Sequence, residues 1–351
     1  MEKIVIRAAT FFIGKSSNIR EEYQLGVEVL GRISEIAKEL NLEVFTKRIS
    51  MQSLSMDELV KLPDIASDKD ILVSAGYVSL RRIGVRDAEY LTSNGVYIPV
   101  LPSLGDFTID DARHFSRIIH GVAEKDPLNA TRIAIGFHNE SFHTPYFPDS
   151  SSRGVRSIGL SFLYPDMLET NNISSLSNSI RNAFRLFNNI AQVIENNIGY
   201  PVSIDYSLSP WMEKSVVKIL ESLGYSLLEP GANYILHVVN NLIQEHYDPR
   251  RAIGFNEVML PYAEDSLLIK YGGMGLIKAR DFLRYASTCV AGVDMIIVPS
   301  GIEKLARLVM DTYSLGLVKS KPIALRAIPV NNKPGEKISL GKFGEPFVIE
   351  Y

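Results

Sequence analysis

The stretch KIVIRAATFF, residues 3–12, is a run of apolar and β-branched side chains interrupted by Lys3 and Arg7. Nearly continuous runs of this kind are typical of strands that are buried on both faces, as in a parallel sheet. The pattern returns along the chain and predicts further strands at residues 43–49, 70–76, 96–101, 132–137, 156–162, 201–206, 293–299 and 322–328.

Amphipathic segments with helix start signals separate these strand candidates. Asn18 followed by Glu21 precedes an apolar stripe at helical spacing that runs from Val27 to Leu40. Thr108 opens a second helix, because two aspartates follow it in the first turn, where the helix dipole favours acids. This alternation of strands and helices predicts an α/β fold with a largely parallel sheet. Two more helices are predicted at 175–197 and 301–316.

The segment TPYFPDSSSRG, residues 144–154, is the strongest candidate for a linker, because it is rich in serine and proline. It can equally be a functional loop within one domain. We favour the loop, since the segments on both sides continue the same rhythm of strands and helices. The sequence then predicts a single α/β domain over residues 1–351.

Composition limits the classes of function. The chain has 351 residues, 37 basic and 40 acidic side chains and a formal charge of −3, which gives no electrostatic signal for nucleic acid or anionic membrane. No run of about 18 apolar residues indicates a membrane span. A single cysteine, Cys289, cannot form an intramolecular disulfide. We therefore expect a cytoplasmic protein that binds a small molecule and has no nucleic-acid or membrane partner. Whether it forms a homo-oligomer is left open.

The densest polar cluster, GFHNESFHTPYFPD, contains His138, Glu140 and His143 directly after an apolar strand. Imidazole and carboxylate groups form a suitable divalent-metal set, so these three residues are the candidate metal ligands. The histidines are five residues apart, whereas the zinc-protease motif on a helix needs four. The alternative is a strand-end loop whose histidines form local hydrogen bonds.

Three residues are candidates for catalysis. Cys289 is the only thiol, and a nucleophilic role needs a base or a helix N-terminus nearby; the alternative is a small buried hydrophobe. Asp265 and Asp294 adjoin apolar segments, where a carboxylate must be paired or hydrogen-bonded. The alternative for each aspartate is a helix cap or a salt bridge. No GxSxG elbow, P-loop or dinucleotide fingerprint is present.

Basic residues in or beside the strand candidates can converge on an anionic ligand, although such residues are more often solvated. They are Arg7, Lys47, Arg48, Arg153 and Arg326. For the substrate-binding set we name Arg153 together with Ser151, Ser152 and Asp205.

Several blocks resemble an uncharacterised bacterial and archaeal family of PFL-like proteins, a domain of unknown function. The family's run of Cys, two residues, Gly, a hydrophobic residue and Asp-Met-Ile is matched from Cys289 to Ile296. IRAATFF and VFTKRIS look like the family's opening strands. The longest blocks that carry the resemblance are residues 204–231, 255–300 and 319–349.

This resemblance implies a fold similar to pyruvate formate-lyase-type enzymes, a ten-stranded α/β barrel built from two five-stranded halves. Those enzymes place a reactive cysteine on a loop inside the barrel, and Cys289 is the counterpart here. The glycyl-radical motif Arg-Val-x-Gly-Tyr is absent, because the corresponding segment reads GKFGEP, residues 341–346. We therefore expect no glycyl-radical chemistry.

Three hypotheses of function follow, none with an assigned cofactor. The first is an enzyme that acts on a small anionic metabolite inside a barrel, with Cys289, Asp265 and Asp294 as catalytic groups. The second is a metal-dependent hydrolase or lyase that uses the histidine cluster. The third is a non-enzymatic protein that binds or senses a metabolite.

Overall fold

The computed structural model describes residues 3–16, 18–289 and 292–351, and its fold is α/β. The strands that it contains in these ranges are β1 (Val5–Phe12), β2 (Glu43–Val44), β3 (Lys47–Ser50), β4 (Ile71–Ser74), β5 (Val78–Ser79), β6 (Val96–Leu101), β7 (Ile133–Phe137), β8 (Ser157–Leu163), β9 (Val202–Asp205), β10 (Gly292–Pro299) and β11 (Ile323–Val330).

Helices alternate with the strands along the chain, and apolar side chains from both pack into one core. In the described ranges they are α1 (Ile19–Glu39), α2 (Met56–Ile65), α3 (Val85–Ser93), α4 (Ile109–Lys125), α5 (Pro127–Ala130), α6 (Ile173–Ile198), α7 (Val216–Ser222), α8 (Ala232–His246), α9 (Ser266–Gly273), α10 (Ala279–Ala286) and α11 (Ile302–Lys319).

One mixed sheet connects all eleven of these strands in the order β10-β11-β7-β6-β4-β3-β1-β8-β9, with β2 beside β1 and β5 beside β6. Its centre is the parallel block β1-β3-β4-β6-β7. The pairs β8-β9 and β10-β11 are each parallel internally, but each joins the block in the antiparallel sense. The predicted α/β class is confirmed, and the sheet is largely parallel, with antiparallel pairing at β1-β8 and β11-β7.

An irregular segment, residues 252–265, follows the outer edge of β9 and its extension. Isolated bridges join Ile204 to Ala252 and Leu208 to Val258. The segment ends in a 3₁₀ turn, Tyr262–Glu264, which packs against β10 at the opposite end of the sheet order. This segment therefore contacts both ends of the sheet.

The predicted helix starts are confirmed at the level of their caps. The Asn18 side chain accepts a hydrogen bond from the Glu21 amide at the start of α1. Thr108 and Asp111 form a reciprocal capping box at the start of α4. All predicted strands are present, although residues 43–49 contribute to two strands, β2 and β3. The short strand β5 and the helices α2, α3, α5, α7, α8, α9 and α10 were not predicted.

Two β-bulges interrupt the strand registers. On β1 the register against β8 shifts between Ile6 and Ala8, so the extra residue is Arg7. On β10 the register against β11 shifts between Val293 and Ile296, where Met295 has a φ of +54°. Bulges re-aim side chains and are frequent near functional sites. Both bulges lie beside charged residues that face the interior.

The loop at residues 144–154 is tied to the sheet along its length. The Pro145 carbonyl accepts hydrogen bonds from Thr10 and Arg48, at 3.1 and 3.0 Å. The Ser150 hydroxyl donates to Ser50 at 2.9 Å. Most of the loop is buried, so it contributes side chains to the interior of the fold.

None of the helices in the described residues combines the length and the apolarity needed to cross a membrane.

The packing of α6 on β8 supports a first prediction. The Phe162 and Phe187 rings are stacked, with centroids 3.9 Å apart, and both are buried. We expect Phe187→Ala to lower the free energy of unfolding by about 3–5 kcal/mol, because it leaves a cavity in the core. Val193→Ala, on an exposed position of the same helix, is the control, with a change of about 0.5 kcal/mol or less. Urea unfolding measures both, and equal effects would contradict this account of the core.

Candidate functional site

A carboxylate between two arginines lies at the centre of the interior. Glu264 Oε2 is 2.5 Å from Arg7 Nη2, and Glu264 Oε1 is 3.0 Å from Arg326 Nη2. All three side chains are buried. Burial would raise the pKa of Glu264, but Arg326 and Arg7 hold that pKa below its ordinary value. Glu264 is therefore ionised at neutral pH and connects β1 to β11.

Arg326 makes a second, bidentate contact. Its Nε and Nη2 atoms donate to the two carboxylate oxygens of Asp294, at 2.7 and 2.9 Å. Bidentate pairing fixes both the position and the orientation of the guanidinium. Although burial opposes it, Asp294 and Glu264 hold the pKa of Arg326 above its ordinary value. The β10 bulge places Asp294 opposite Arg326 in this geometry.

Arg48, on β3, faces the same interior but is not in any ion pair of the described residues. Its Nε donates to Thr46 and its Nη1 donates to the Pro145 carbonyl, both at about 3 Å. The guanidinium carbon lies 5.1 Å from the centre of the Phe147 ring. Burial and the charge of Arg7 lower the pKa of Arg48 to about 10. The hydrogen-bond partners of Arg48 are therefore neutral, and the charge of Glu264 acts on it only from beyond ion-pair distance.

Aromatic rings form much of the remaining wall. Tyr97 packs on Phe147 with a centroid distance of 5.2 Å. The Arg7 guanidinium lies 5.5 Å from the Trp211 ring and 5.9 Å from the Tyr146 ring. Such contacts stabilise a desolvated cation without neutralising it. The rings therefore stabilise the arginines without adding negative charge, and Arg48 is left without an ion pair among the described residues.

Asp149, in the loop at residues 144–154, is the third acid of the cavity. Burial and the charge of Asp294 raise the pKa of Asp149 to about 7, against the opposing charge of Arg326. A carboxyl group that titrates near neutral pH is suited to general acid–base work. Glu264, which lines the same cavity, has its pKa shifted in the opposite direction. The cavity thus contains two carboxyl groups with different protonation behaviour.

These groups line one internal cavity, which we call the inner cavity. Its charged lining comprises four basic and three acidic side chains: Arg7, Arg48, Arg326, Lys342, Asp149, Glu264 and Asp294. The lining is therefore positively charged overall, and more so when Asp149 is protonated. The cavity offers about 60 Å³ to the centres of water-sized groups. That space holds about four such groups, the size of a small carboxylic acid.

The structure brings some of the sequence candidates together here. Asp294, Arg7, Arg48 and Arg326 line the inner cavity, whereas Lys47 is not among its lining residues. Sequence reasoning missed Asp149, because the loop around it contains no motif and no periodic pattern. Glu264 was also missed, because its neighbour Asp265 was named as the catalytic candidate.

The two remaining carboxylate candidates are occupied by backbone and hydroxyl donors. Asp265 accepts hydrogen bonds from the Val216 and Leu267 amides at 2.9 and 3.0 Å, so it fixes the starts of α7 and α9. Asp205 accepts from the Phe255 amide at 2.9 Å and from the Thr144 hydroxyl at 3.0 Å. Neither residue lines the inner cavity. The contacts of Asp265 are those of a helix cap, which is the alternative that the sequence left open for it.

Cys289 follows the C-terminal end of α10 and is buried in the apolar core. Burial raises the pKa of the Cys289 thiol to about 12. Because the thiolate is the nucleophile, this environment holds the residue in its unreactive form. Cys289 does not line the inner cavity. Its catalytic role stays a prediction that the geometry does not support.

The predicted anion-binding loop uses its polar groups internally. Arg153 is exposed and donates to the Ser141 carbonyl. Ser151 accepts a hydrogen bond from the Tyr77 amide at 3.2 Å, and Ser152 donates to the Ile13 carbonyl at 2.5 Å. These contacts fasten the loop to the strands. The substrate-binding role of this set stays a prediction.

The metal-binding role of the histidine cluster stays a prediction. His138 Nδ1 lies 3.0 Å from the Asn139 carbonyl oxygen, the His143 ring packs edge-on against Phe12, and Glu140 is exposed. Among the described residues, which include all three candidates, no three His, Cys, Asp or Glu side chains are grouped so that they could hold a metal ion. The alternative of local hydrogen bonding describes His138.

The ion cluster generates a second prediction. We expect Glu264→Gln to lower the free energy of unfolding by about 3 kcal/mol or more, because two buried arginines lose their shared counterion. Glu303→Gln is the matched control, since Glu303 pairs with Arg113 on the surface, where such pairs contribute about 1 kcal/mol or less. Chemical denaturation distinguishes the two. A loss in Glu264→Gln no larger than in Glu303→Gln would contradict the central role of Glu264.

The buried histidines generate a third prediction. Burial lowers the pKa of His138 and of His143 to about 4, whereas unfolded histidine titrates near 6.5. Between these values the unfolded chain binds more protons, so stability falls as pH is lowered from about 6.5 to 4. We expect His138→Asn to flatten that part of the stability profile, measured by urea unfolding at several pH values. An unchanged slope would show that His138 titrates normally.

Comparison with known proteins places the chain among uncharacterised relatives. The UPF0210 protein of Caldicellulosiruptor saccharolyticus is 22% identical over 347 residues, which cover 91% of this chain and 73% of that protein. The UPF0210 protein of Methanopyrus kandleri is 24% identical over 348 residues, 93% of this chain and 74% of that protein. For the UPF0210 protein of Sulfurisphaera tokodaii the identity is 22%, with 94% and 83% covered.

A family model described as Uncharacterised ACR (DUF711) matches residues 106–341, which include Asp149, Glu264, Asp294 and Arg326. Arg7 and Arg48 precede the matched region. Because the match extends over more than half of the sequence, the chain belongs to the uncharacterised DUF711 family.

Proposed function

We propose that the protein is an enzyme that acts on a small anionic metabolite bound in the inner cavity. The observation that carries this proposal is Arg48, a buried cation that no carboxylate of the described residues pairs with. A buried charge is costly unless it is paired. An anionic ligand would supply the missing partner, and Arg48 is suited to bind a carboxylate in a planar, bidentate contact.

Asp149 is the proposed acid–base group. Its pKa of about 7 lets it accept or give up a proton at neutral pH with little change in free energy. Glu264 and Asp294 stay bound to arginines and hold them in place. The proposed division of roles is therefore binding by Arg48, proton transfer at Asp149, and positioning by the pairs around Arg326. Of the catalytic residues named from the sequence, this scheme uses only Asp294, and it takes Arg48 from the basic residues expected to bind an anion.

We further propose that the sheet is the wall of one PFL-like α/β barrel, in a cytoplasmic single-domain protein. Two features support this arrangement. The strand pairs β8-β9 and β10-β11 each join the parallel block in the antiparallel sense, and the segment 252–265 contacts both ends of the sheet. Charged side chains of β1, β3, β10 and β11 facing one cavity also support it. The proposal includes no radical step and no role for Cys289.

Acetate is a suitable probe for a fourth prediction, because it is a monocarboxylate of the size that the inner cavity accommodates. We expect acetate to raise the melting temperature of the wild type, since it binds only the folded chain. Arg48→Gln should weaken binding roughly tenfold or more through loss of a charge-assisted contact. Arg82→Gln, at an exposed arginine outside the cavity, is the matched control.

The pH dependence tests Asp149 separately. Below about pH 7 the Asp149 carboxyl is protonated and the cavity is more positive, so acetate should bind more tightly at pH 6 than at pH 8. Asp149→Asn should remove this dependence. Equal acetate binding by the wild type and Arg48→Gln, or an unchanged pH dependence in Asp149→Asn, would refute the assignment.

Turnover distinguishes an enzyme from the alternative, a protein that only binds or senses a metabolite. A thermal-shift screen of small carboxylic and phosphorylated metabolites identifies ligands, and nuclear magnetic resonance then follows each ligand with time. The proposal requires that one ligand is converted by the wild type and not by Asp149→Asn. Stable ligands throughout would favour the binding protein.

A further inference from the structure

A second compartment adjoins the inner cavity, and we call it the outer compartment. The two share the wall residues Leu72, Tyr97, Lys342 and Phe343. The outer compartment offers about 420 Å³ to the centres of water-sized groups, against about 60 Å³ inside. The larger space is formed by the start of β4, the start of β6 and the short 3₁₀ turn Gly341–Phe343.

The charged lining of the outer compartment is predominantly basic. Lys69, Arg132 and Lys342 contribute three positive charges, and Asp68 contributes one negative charge. None of the three basic residues takes part in an ion pair of the described residues. Arg132 donates through Nη1 to the Thr92 carbonyl at 3.1 Å and to the Asn129 side chain at 2.5 Å. Those neutral acceptors orient Arg132 and leave its charge uncompensated.

Lys342 lines both compartments, so its positive charge acts in each of them. It is exposed and lies over the Phe343 ring, with Nζ 5.2 Å from the ring centre. Its charge also contributes to the lowered pKa of Glu264 in the inner cavity. A further link is Arg326 of the inner cavity, which donates to the carbonyl of Thr131, a residue of the outer lining, at 3.4 Å. The two basic sites are therefore parts of one continuous region.

We propose that the outer compartment is a phosphate-binding subsite, so that the natural ligand is a small carboxylic acid that also carries a phosphate group. This inference rests on the proposed function for the position of the carboxylate at Arg48. Three cations of fixed charge around a roomy, solvent-connected space suit a phosphate dianion, and lysine binds phosphate as a point charge. The single acid, Asp68, leaves the lining with a surplus of two positive charges.

Inorganic phosphate and acetate probe the two subsites separately. We expect phosphate at constant ionic strength to raise the melting temperature of the wild type and of Arg48→Gln. The apparent affinity for phosphate, obtained from these shifts, should be roughly tenfold weaker in Lys342→Gln and in Arg132→Gln. Lys61→Gln, at an exposed lysine of α2 outside both compartments, is the matched control. Lys342→Gln is the primary variant, because the Lys342 side chain is exposed and its loss leaves the core intact.

The two probes together distinguish this inference from the proposed function. Additive shifts with phosphate and acetate support separate subsites, whereas mutual exclusion would overturn the inference. A phosphate response in Lys342→Gln and Arg132→Gln equal to that of Lys61→Gln would also overturn it. If acetate does not bind the wild type, that result counts against the inner cavity alone. Phosphate binding that depends on Arg132, which lines only the outer compartment, would still support the inference.

Discussion

The contact of Glu264 with Arg7 and Arg326 is the interaction on which the interior depends. It joins Glu264 to Arg7, which is 257 positions earlier in the chain, and to Arg326, which is 62 positions later. The contact therefore connects β1 to β11. Buried charges are tolerated when their partners are well placed, and their value lies in orientation more than in stability. With Glu264 shared between two arginines and Asp294 assigned to Arg326, no acid of the described residues pairs with Arg48.

Strand irregularities create this arrangement. The side chains of a regular strand alternate between the two faces of the sheet. An extra residue at a bulge breaks this alternation and can turn a charged side chain inward. The extra residue on β1 is Arg7, and the β10 bulge at Met295 places Asp294 beside Arg326. The positive φ of Met295 is an uncommon backbone conformation for a non-glycine residue. The backbone departs from regularity where the charges converge.

Local features were predictable from the sequence, whereas long-range pairing was not. Apolar runs predicted the strands, and Asn18 and Thr108 predicted two helix starts, because these signals act over a few residues. The environment of Asp149 depends on side chains from distant strands, so nothing near it in the sequence indicates a pKa near 7. Asp265 shows the converse, since a buried carboxylate at a helix start resembles a catalytic acid until its amide donors are known.

The central claim is that an anion binds beside Arg48 in the inner cavity. The most direct measurement is anomalous diffraction from wild-type crystals soaked in bromide, which locates a small anion without reference to any assumed substrate. The account predicts a bromide peak in the inner cavity within contact distance of the Arg48 guanidinium, lost in crystals of Arg48→Gln. A cavity without bromide in the wild type, with anions bound only elsewhere, would contradict it.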